Sequence, residues 1–391
     1  MEFFNPIEHQ SEIEFVKVSP NGYSHLYTST EVYPFWIADM DFKVAKPIRS
    51  AVHNMADRGV FAYEYNNNKL YGAISSWFQR RHELFLNPNN FVQVNGVLTG
   101  IALLLRLFSD KRDGIIINSP VYHMFSHTII ANRRKVVDSP LKFDQNRRFS
   151  FDFEQLDEQM AKPENKIFLL CNPHNPVGRV WTRDELEQIK SLSQKHGVLV
   201  ISDEVHADIL YDDNKFISYA DVDREGSIVL LGSPAKTFGM QSVATGHIYT
   251  EHASYLRKIR SEAEALFVHH GNAITYYMTL AAYNEGDLWV NELIEYLQET
   301  INSVKELLSN HLPLVKISPL EGTYQMWMDF SGMNLTEEEL ENWIFNRAKM
   351  GLAPGKQFGE QYELWFRLNF ATDRAVILTY LNRLIESNPL T

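Results

Sequence analysis

Four short apolar runs in this chain each lead directly into residues able to do chemistry. Gly114–Asn118 runs into Ser119-Pro120-Val121-Tyr122, and Lys166–Cys171 into Asn172-Pro173-His174-Asn175-Pro176. Val198–Ser202 runs into Asp203-Glu204-Val205-His206, and Ser227–Leu231 into Gly232-Ser233-Pro234-Ala235-Lys236. An aromatic ring, an amide, a carboxylate and an amine therefore follow successive run ends. That set suits a site for a planar, polar, anionic small molecule. Singly, each member has an ordinary structural use. Asp203 can cap a helix, Lys236 can be a solvated cation, and Tyr122 can pack in the core with a wet hydroxyl. Asn175 before proline is a natural turn residue, and His206 can be a satisfied structural histidine. The weight falls on the joint pattern.

The elements that must position these groups are legible as well. The four runs are too short for helices and apolar throughout, as buried parallel strands are. They alternate with helical patterns from about 45 to 285, which implies βα units and a mostly parallel sheet. In such sheets ligands bind outside the carboxyl ends of the strands, where the chemistry-bearing residues stand. Thr182-Arg-Asp-Glu185 is a capping box, followed by Leu186, Ile189 and Leu192 at helical spacing and by Gly197 as a C-terminal stop. A second box, Thr336-Glu-Glu-Glu339, opens a helix carrying Leu340, Trp343 and Ile344. A long helix is predicted over 288–312, and the last hundred residues read as a separate α+β part. Residues 1–44 are irregular and aromatic-rich, with a dense segment at Trp36–Phe42.

Composition narrows the function classes. The 391 residues exceed the roughly 100–200 typical of one domain. With 24 Phe, 18 Tyr and 7 Trp, the chain has ample apolar area to offset its entropy, which argues against a disordered chain. The net charge of −12 argues against nucleic acid and anionic membranes as partners. The single cysteine, Cys171, allows neither an internal disulfide nor a thiolate metal cluster, and reads as a small buried hydrophobe. No signal peptide and no apolar stretch of about 20 residues is present, so a soluble cytoplasmic protein is expected. Gly351-Leu-Ala-Pro-Gly355-Lys356 is no P-loop, because three residues separate the glycines and Gln357 replaces the Ser/Thr. Neither G-x-G-x-x-G nor H-E-x-x-H occurs, the adjacent His269 and His270 do not face one ligand easily, and no catalytic metal is expected.

The residues resemble a known family. The segments WIADMDF (36–42), NGVLTGI (95–101), SPVYHMF (119–125) and CNPHNPVGRVWTRDEL (171–186) match in order. So do SDEVHADI (202–209), PAKTFG (234–239), EGTYQMWMDF (321–330) and FRLNFA (366–371). The chain thus resembles the fold-type-I pyridoxal 5′-phosphate (PLP) enzymes. Within the class I/II aminotransferase superfamily it resembles the MalY/PatB group of C–S β-lyases of cystathionine β-lyase type. The resemblance implies an α/β fold like that of aspartate aminotransferase: a large PLP domain with a mostly parallel mixed sheet at 45–285, and a smaller α+β domain from 1–44 and 286–391. It implies a homodimer with shared active sites, acting on an amino-acid substrate. The activity implied is α,β-elimination on L-cystathionine or a related L-cysteine S-conjugate, giving thiol, pyruvate and ammonia. The alternatives on the same scaffold are an aminotransferase on an L-amino acid and a PLP-binding regulatory protein.

The resemblance also implies roles. Lys236 forms the Schiff base with pyridoxal and moves protons, for which its pKa must be lowered. Asp203 faces the pyridinium nitrogen, Asn175 the phenolic oxygen, and His206 stands where many aminotransferases place a tyrosine for that oxygen. Tyr122 stacks on the ring. Gly96, Val97 and Leu98 offer backbone N–H groups to the phosphate at a helix start, and Ser233 adds a hydroxyl. Arg367 clamps the substrate carboxylate, with Asn175 and Ala38 beside it, and Tyr63 reaches the phosphate of the partner subunit. The wording departs from the family at Val94-Asn95-Gly96-Val97-Leu98, where Ser-Pro-Gly-Val-Val is usual. It departs also at Ala235, where Ser is usual, at Ala62, where Gly is usual, and across 239–246.

Overall fold

The computed structural model describes residues 15–27, 31–62, 67–224, 228–243 and 245–390. Its centre is a seven-stranded sheet: β1 (Phe91–Val94), β2 (Gly114–Ile117), β3 (Lys135–Asp138), β4 (Asn165–Cys171), β5 (Leu199–Asp203), β6 (Ile228–Gly232) and β7 (Gly246–Tyr249). The spatial order is β1-β7-β6-β5-β4-β2-β3. Strands β6, β5, β4, β2 and β3 run parallel, and β7 runs antiparallel to both its neighbours. The four predicted runs are four of these strands. Both faces of each are covered: Ile115 and Ile117 pack into one apolar cluster, Ile116 into another, and Ile167, Leu169 and Phe168, Leu170 divide in the same way. That two-sided burial is why the runs are continuous instead of alternating. The other three strands escape a reading by apolar runs. Phe91–Val94 carries Gln93, Gly246–Tyr249 carries His247, and Lys135–Asp138 is an edge strand with exposed ends.

Two helices near the first strand matter to the site. Helix α1 (Asn67–His82) precedes the sheet, and α2 (Val97–Phe108) follows β1 directly. Helix α3 (Arg183–His196) opens on the expected reciprocal capping box of Thr182 and Glu185 and stops at Gly197, whose φ is 68°. A single turn, α4 (Ala235–Phe238), carries Lys236. The long helix α5 spans Asp287–His311.

A second sheet has β8 (Lys316–Ile317), β9 (Gln325–Asp329), β10 (Ala353–Pro354) and β11 (Trp365–Asn369), in the order β8-β9-β11-β10 and antiparallel throughout. The second capping box forms, but its helix is regular only over Glu337–Glu341 and then widens into a π-wound stretch at Asn342–Arg347. Trp343, Ile344 and Phe345 are all buried there. A regular helix turns three consecutive residues through most of its circumference, whereas the wider winding lets all three face inward. The irregular N-terminal segment is fastened to this part: Tyr33 and Pro34 pair in parallel with Met350 and Gly351.

Candidate active site

The parallel strands end level with one another. Cys171 of β4 stands opposite Asp203 of β5, and Asp203 opposite Leu231 of β6. Outside these ends lies a cavity of about 310 Å³. Ala38, Tyr122, Asn175, Asp203, His206, Ser233 and Lys236 line it, together with Gly96, Val97 and Leu98. All the expected site residues are thus brought together except two. Arg367 stands behind Asn175, to which it is hydrogen-bonded, and Tyr63 lies outside the described residues.

The charges in this cavity are held in unusual states. Lys236 donates to the Ala38 carbonyl at 2.8 Å. Burial pulls its ammonium from 10.5 down to about 8, helped by the Arg367 charge and resisted by Asp39 and Asp203. Asp203 has a hydrogen bond from the Val205 N–H at 3.1 Å, and burial lifts its carboxyl to about 7. Arg367, on β11, is 3% exposed. It donates to Asn175 Oδ1 at 3.1 Å and to the Trp36 carbonyl at 2.6 Å, and lies 4.8 Å over the Phe358 ring. Its Nε is buried without a partner. Among the described residues no carboxylate reaches it within salt-bridge distance, and burial pulls its guanidinium down to about 10. His206 is buried, stands edge-on to Tyr324, and leaves Nδ1 without a partner. Burial, with the Lys236 and Arg367 charges, holds it neutral, with its pKa at about 3. Burial also pushes the Tyr122 phenol up.

One wall is a cradle for an anion. Gly96 caps α2 with φ 98°, a conformation that favours glycine. The N–H groups of the first helical turn have no acceptor within the helix, and the dipole there favours negative charge. A Cβ on Gly246 would stand 2.8 Å from Gly96 C and 3.0 Å from Val97 N, so only glycine lets β7 pass behind this turn. Ser233 lines the cavity, but its hydroxyl donates to the Thr245 carbonyl at 2.7 Å and accepts from the Ala235 N–H. Its proton is thereby committed within the protein.

Ala38 lines the cavity from the strap Trp36–Asp41, which is held by its own carbonyls. Arg367 takes that of Trp36, and Asn369 takes those of Ile37 and Asp39, each at 2.6 Å. Lys236, Tyr324 and Gln241 converge on that of Ala38. Gln241, Tyr324 and Asn369 had no assigned role from the sequence. The signal for Tyr324 and Asn369 was their place inside the matching segments EGTYQMWMDF and FRLNFA; for Gln241 there was none.

PLP fits this donor set. The cradle suits its phosphate, the raised carboxyl of Asp203 is ready for a cationic ring nitrogen, and His206 and Lys236 line the same space. Residues 37–384 match the family Aminotransferase class I and II. Cystathionine beta-lyase PatB of Bacillus subtilis strain 168 is 31% identical over 383 residues, 97% of this chain and 98% of its own. Protein MalY of Escherichia coli K12 is 31% identical over 354 residues, covering 89% and 90%. A PLP-bound protein from Clostridium difficile 630 has a TM-score of 0.93 at 29% identity, covering 100% and 99% of the two chains. Cystalysin from Treponema denticola, whose crystal contains PLP, has a TM-score of 0.91 at 25% identity over 98% of each chain. Among the described residues no helix is long and apolar enough to cross a membrane. The chain belongs to the aminotransferase class I and II family of PLP-dependent enzymes and has their fold-type-I architecture.

Proposed function

We propose that the protein is a C–S β-lyase that cleaves L-cystathionine or a related L-cysteine S-conjugate by α,β-elimination, releasing a thiol, pyruvate and ammonia. The observation that carries this reading is a pair of buried cations, Lys236 in the cavity with its pKa near 8 and Arg367 behind the cavity residue Asn175 with no carboxylate of its own among the described residues. The first suits proton removal near neutral pH, the second an amino acid's carboxylate. The elimination itself is supported by the two relatives at 31% identity, one of which is named a cystathionine beta-lyase.

The proposed roles follow from position. Arg367, steadied by Asn175 and Trp36, binds the α-carboxylate beside Ala38 and so sets which bond at Cα faces Lys236. A fraction of Lys236 is free amine at neutral pH, and it takes the Cα proton. Bound PLP supplies the electron sink that accepts the pair left on Cα. Asp203, ionised against the ring nitrogen, keeps that sink cationic. His206 and Asn175 address the phenolic oxygen, Tyr122 covers a ring face, and the N–H groups from Gly96 to Leu98 hold the phosphate. Ser233 joins them only by giving up Thr245. In this reading a second copy of the chain completes the site, with Tyr63 of the partner subunit at the phosphate. A larger domain (45–285) carries the cavity floor, and a smaller one (1–44 with 286–391) brings Arg367 and the strap.

The test is the purified protein with L-cystathionine and no added keto acid. Thiol and pyruvate in equal amounts support the lyase. Turnover that depends strictly on a keto acid makes the protein an aminotransferase and ends the proposal.

A further inference from the structure

The turn that carries Lys236 cannot hold itself. Helix α4 has four residues, and one turn of helix costs more entropy than its hydrogen bond returns. Its neighbours fix it instead. The Ala235 N–H is taken by Ser233, and the Phe238 ring packs against Trp77 at 5.3 Å, Tyr283 at 5.9 Å and Trp289 at 6.2 Å. The remaining tie is polar. Thr237, adjacent to Lys236, donates its hydroxyl to Asp208 Oδ2 at 2.6 Å. Asp208 Oδ1 accepts the Trp77 indole N–H at 2.9 Å and meets His82 Nε2 at 2.8 Å. This carboxylate is buried beneath the turn and does not line the cavity. Its donors overcome the burial penalty and keep its carboxyl below the usual range.

We propose that Asp208 is a positioning residue: with His82 and Trp77 of α1 it anchors Thr237, and thereby aims Lys236 at the reacting atoms. Three donors from two elements converge on two oxygens, an arrangement that only a carboxylate satisfies. An asparagine would turn an NH2 group either toward the Thr237 hydroxyl or toward the indole N–H. The proposal rests on the PLP-dependent reaction proposed above, through the role of Lys236, but not on which reaction is run.

Four variants test it in the holoenzyme: Asp208→Asn, Thr237→Val, Thr237→Ser and, as a milder cut, Trp77→Phe. Asp208→Asn and Thr237→Val should each lower kcat about 10–100-fold, the size expected when a reacting group is misplaced by a fraction of its reach. KM should change less than about threefold, because Arg367 and Asn175 are untouched. The pH at which the absorbance near 420 nm titrates should move by about half a unit, and cofactor-free protein should take up PLP about tenfold more slowly. Thr237→Ser keeps the hydroxyl and should restore kcat, the spectral titration and the rate of PLP uptake, while Trp77→Phe should fall between. Should Asp208→Asn fail to fold, Thr237→Val decides, since it keeps the shape and removes the bond. The proposal is overturned if Thr237→Val matches the parent in kcat and in spectral titration, or if Thr237→Ser is as impaired as Thr237→Val. A parent without lyase activity would refute the reaction proposed above, yet the spectral and uptake comparisons would still judge Asp208.

Discussion

Two arginines in this protein are equally buried and differently treated. Arg179 is 2% exposed and Arg367 is 3% exposed, and each lies against an aromatic ring, at 4.7 Å from Trp181 and 4.8 Å from Phe358. Arg179 is fully met. Its Nε donates to Glu321 at 2.9 Å, its Nη2 to both oxygens of Glu185, and its Nη1 to the Phe149 carbonyl. Arg367 has two neutral acceptors and an unpartnered Nε. Taking a charge out of water costs several kcal/mol unless a counter-charge offsets it. At Arg179 the fold supplies that counter-charge and ties the Asn172–Gly178 loop to Glu321. At Arg367, which stands behind Asn175 at the edge of the cavity, it supplies no counter-charge among the described residues, and Lys236 and Asp203 in the cavity itself likewise meet only neutral hydrogen-bond partners. A buried charge with its partners is architecture, whereas one without them is reserved for a ligand.

The largest effect that tests this distinction is at Lys236. Lys236→Ala should leave the fold intact and lower kcat at least about 10⁴-fold, as removal of an essential nucleophile or base does. Activity within tenfold of the parent would break the assignment of the cavity as the reaction site.

The two arginines should then respond in opposite columns. Arg179→Met takes a shared buried counter-charge from Glu185 and Glu321, leaving Glu321 with Arg148 and the Val180 N–H and Glu185 with Thr182, and should cost about 2 kcal/mol or more in urea unfolding, because breaking a buried pair leaves charge under-compensated. Arg367→Met orphans no carboxylate among the described residues, so stability should hold or rise slightly. Instead its KM for the amino acid should increase about 10²–10³-fold, the loss expected for a buried charge pair with the substrate. Arg367→Lys should recover little, since an ammonium cannot present a bidentate fork. Equal stability losses in the two methionine variants would erase the comparison.

The sequence shows the two columns unequally. Strand-end chemistry was visible because buried parallel strands announce themselves as apolar runs and the residues after them must stand at one rim. Lys236, Asp203, Asn175 and Tyr122 follow from that rule. What holds them was not visible. Asn369 meets Ile37 across 332 positions, and Tyr324 meets Ala38 across 286. No periodicity or spacing encodes a hydrogen bond between such distant segments. Asp208 was inside a quoted segment without a role, because two of its three partners come from α1, more than a hundred residues earlier, and the third from α4, 29 residues later. Three strands were missed for a related reason: a polar residue or a position at the sheet edge interrupts the apolar run.

A smaller effect concerns pH. Burial lifts the Asp203 carboxyl from 3.8 to about 7, so the cofactor-free fold keeps a proton that the unfolded chain releases. This contribution to stability is complete below about pH 4 and is lost as pH rises through about 7. Histidines 123, 174, 206 and 247 are held down at about 3 to 4, and their contribution runs the other way, full above 6.5 and lost as pH falls through about 4. The parent profile mixes the two, but its difference from Asp203→Asn isolates the carboxyl. Without PLP, that difference should decline by on the order of 2 kcal/mol between pH 5 and 7. With PLP bound, a cationic ring nitrogen meets Asp203, and the decline should vanish or reverse. A decline unchanged by PLP would mean that the carboxyl does not face the cofactor.

The smallest effect is expected at Cys171, which lines the cavity yet belongs with Arg179. Its thiol meets the Pro173 carbonyl at 3.4 Å and the Asn175 N–H at 3.5 Å, and it is buried. Burial, with the Asp203 charge beside it, pushes the thiol far from ionisation. A thiolate is the reactive form of cysteine, so proximity to the cavity confers no reactivity here. Cys171→Ala should keep kcat within about twofold and cost about 1 kcal/mol, the loss of a small buried side chain. Iodoacetamide should leave the folded parent unmodified at neutral pH and label it in urea. Rapid labelling of the native protein, blocked by PLP, would move Cys171 to the other column and make the cavity's sulfur chemistry partly its own. The partners within 3.5 Å indicate otherwise: a group whose lone pair and proton are both engaged by the loop that carries Asn175 is holding that loop in place, not waiting for a substrate.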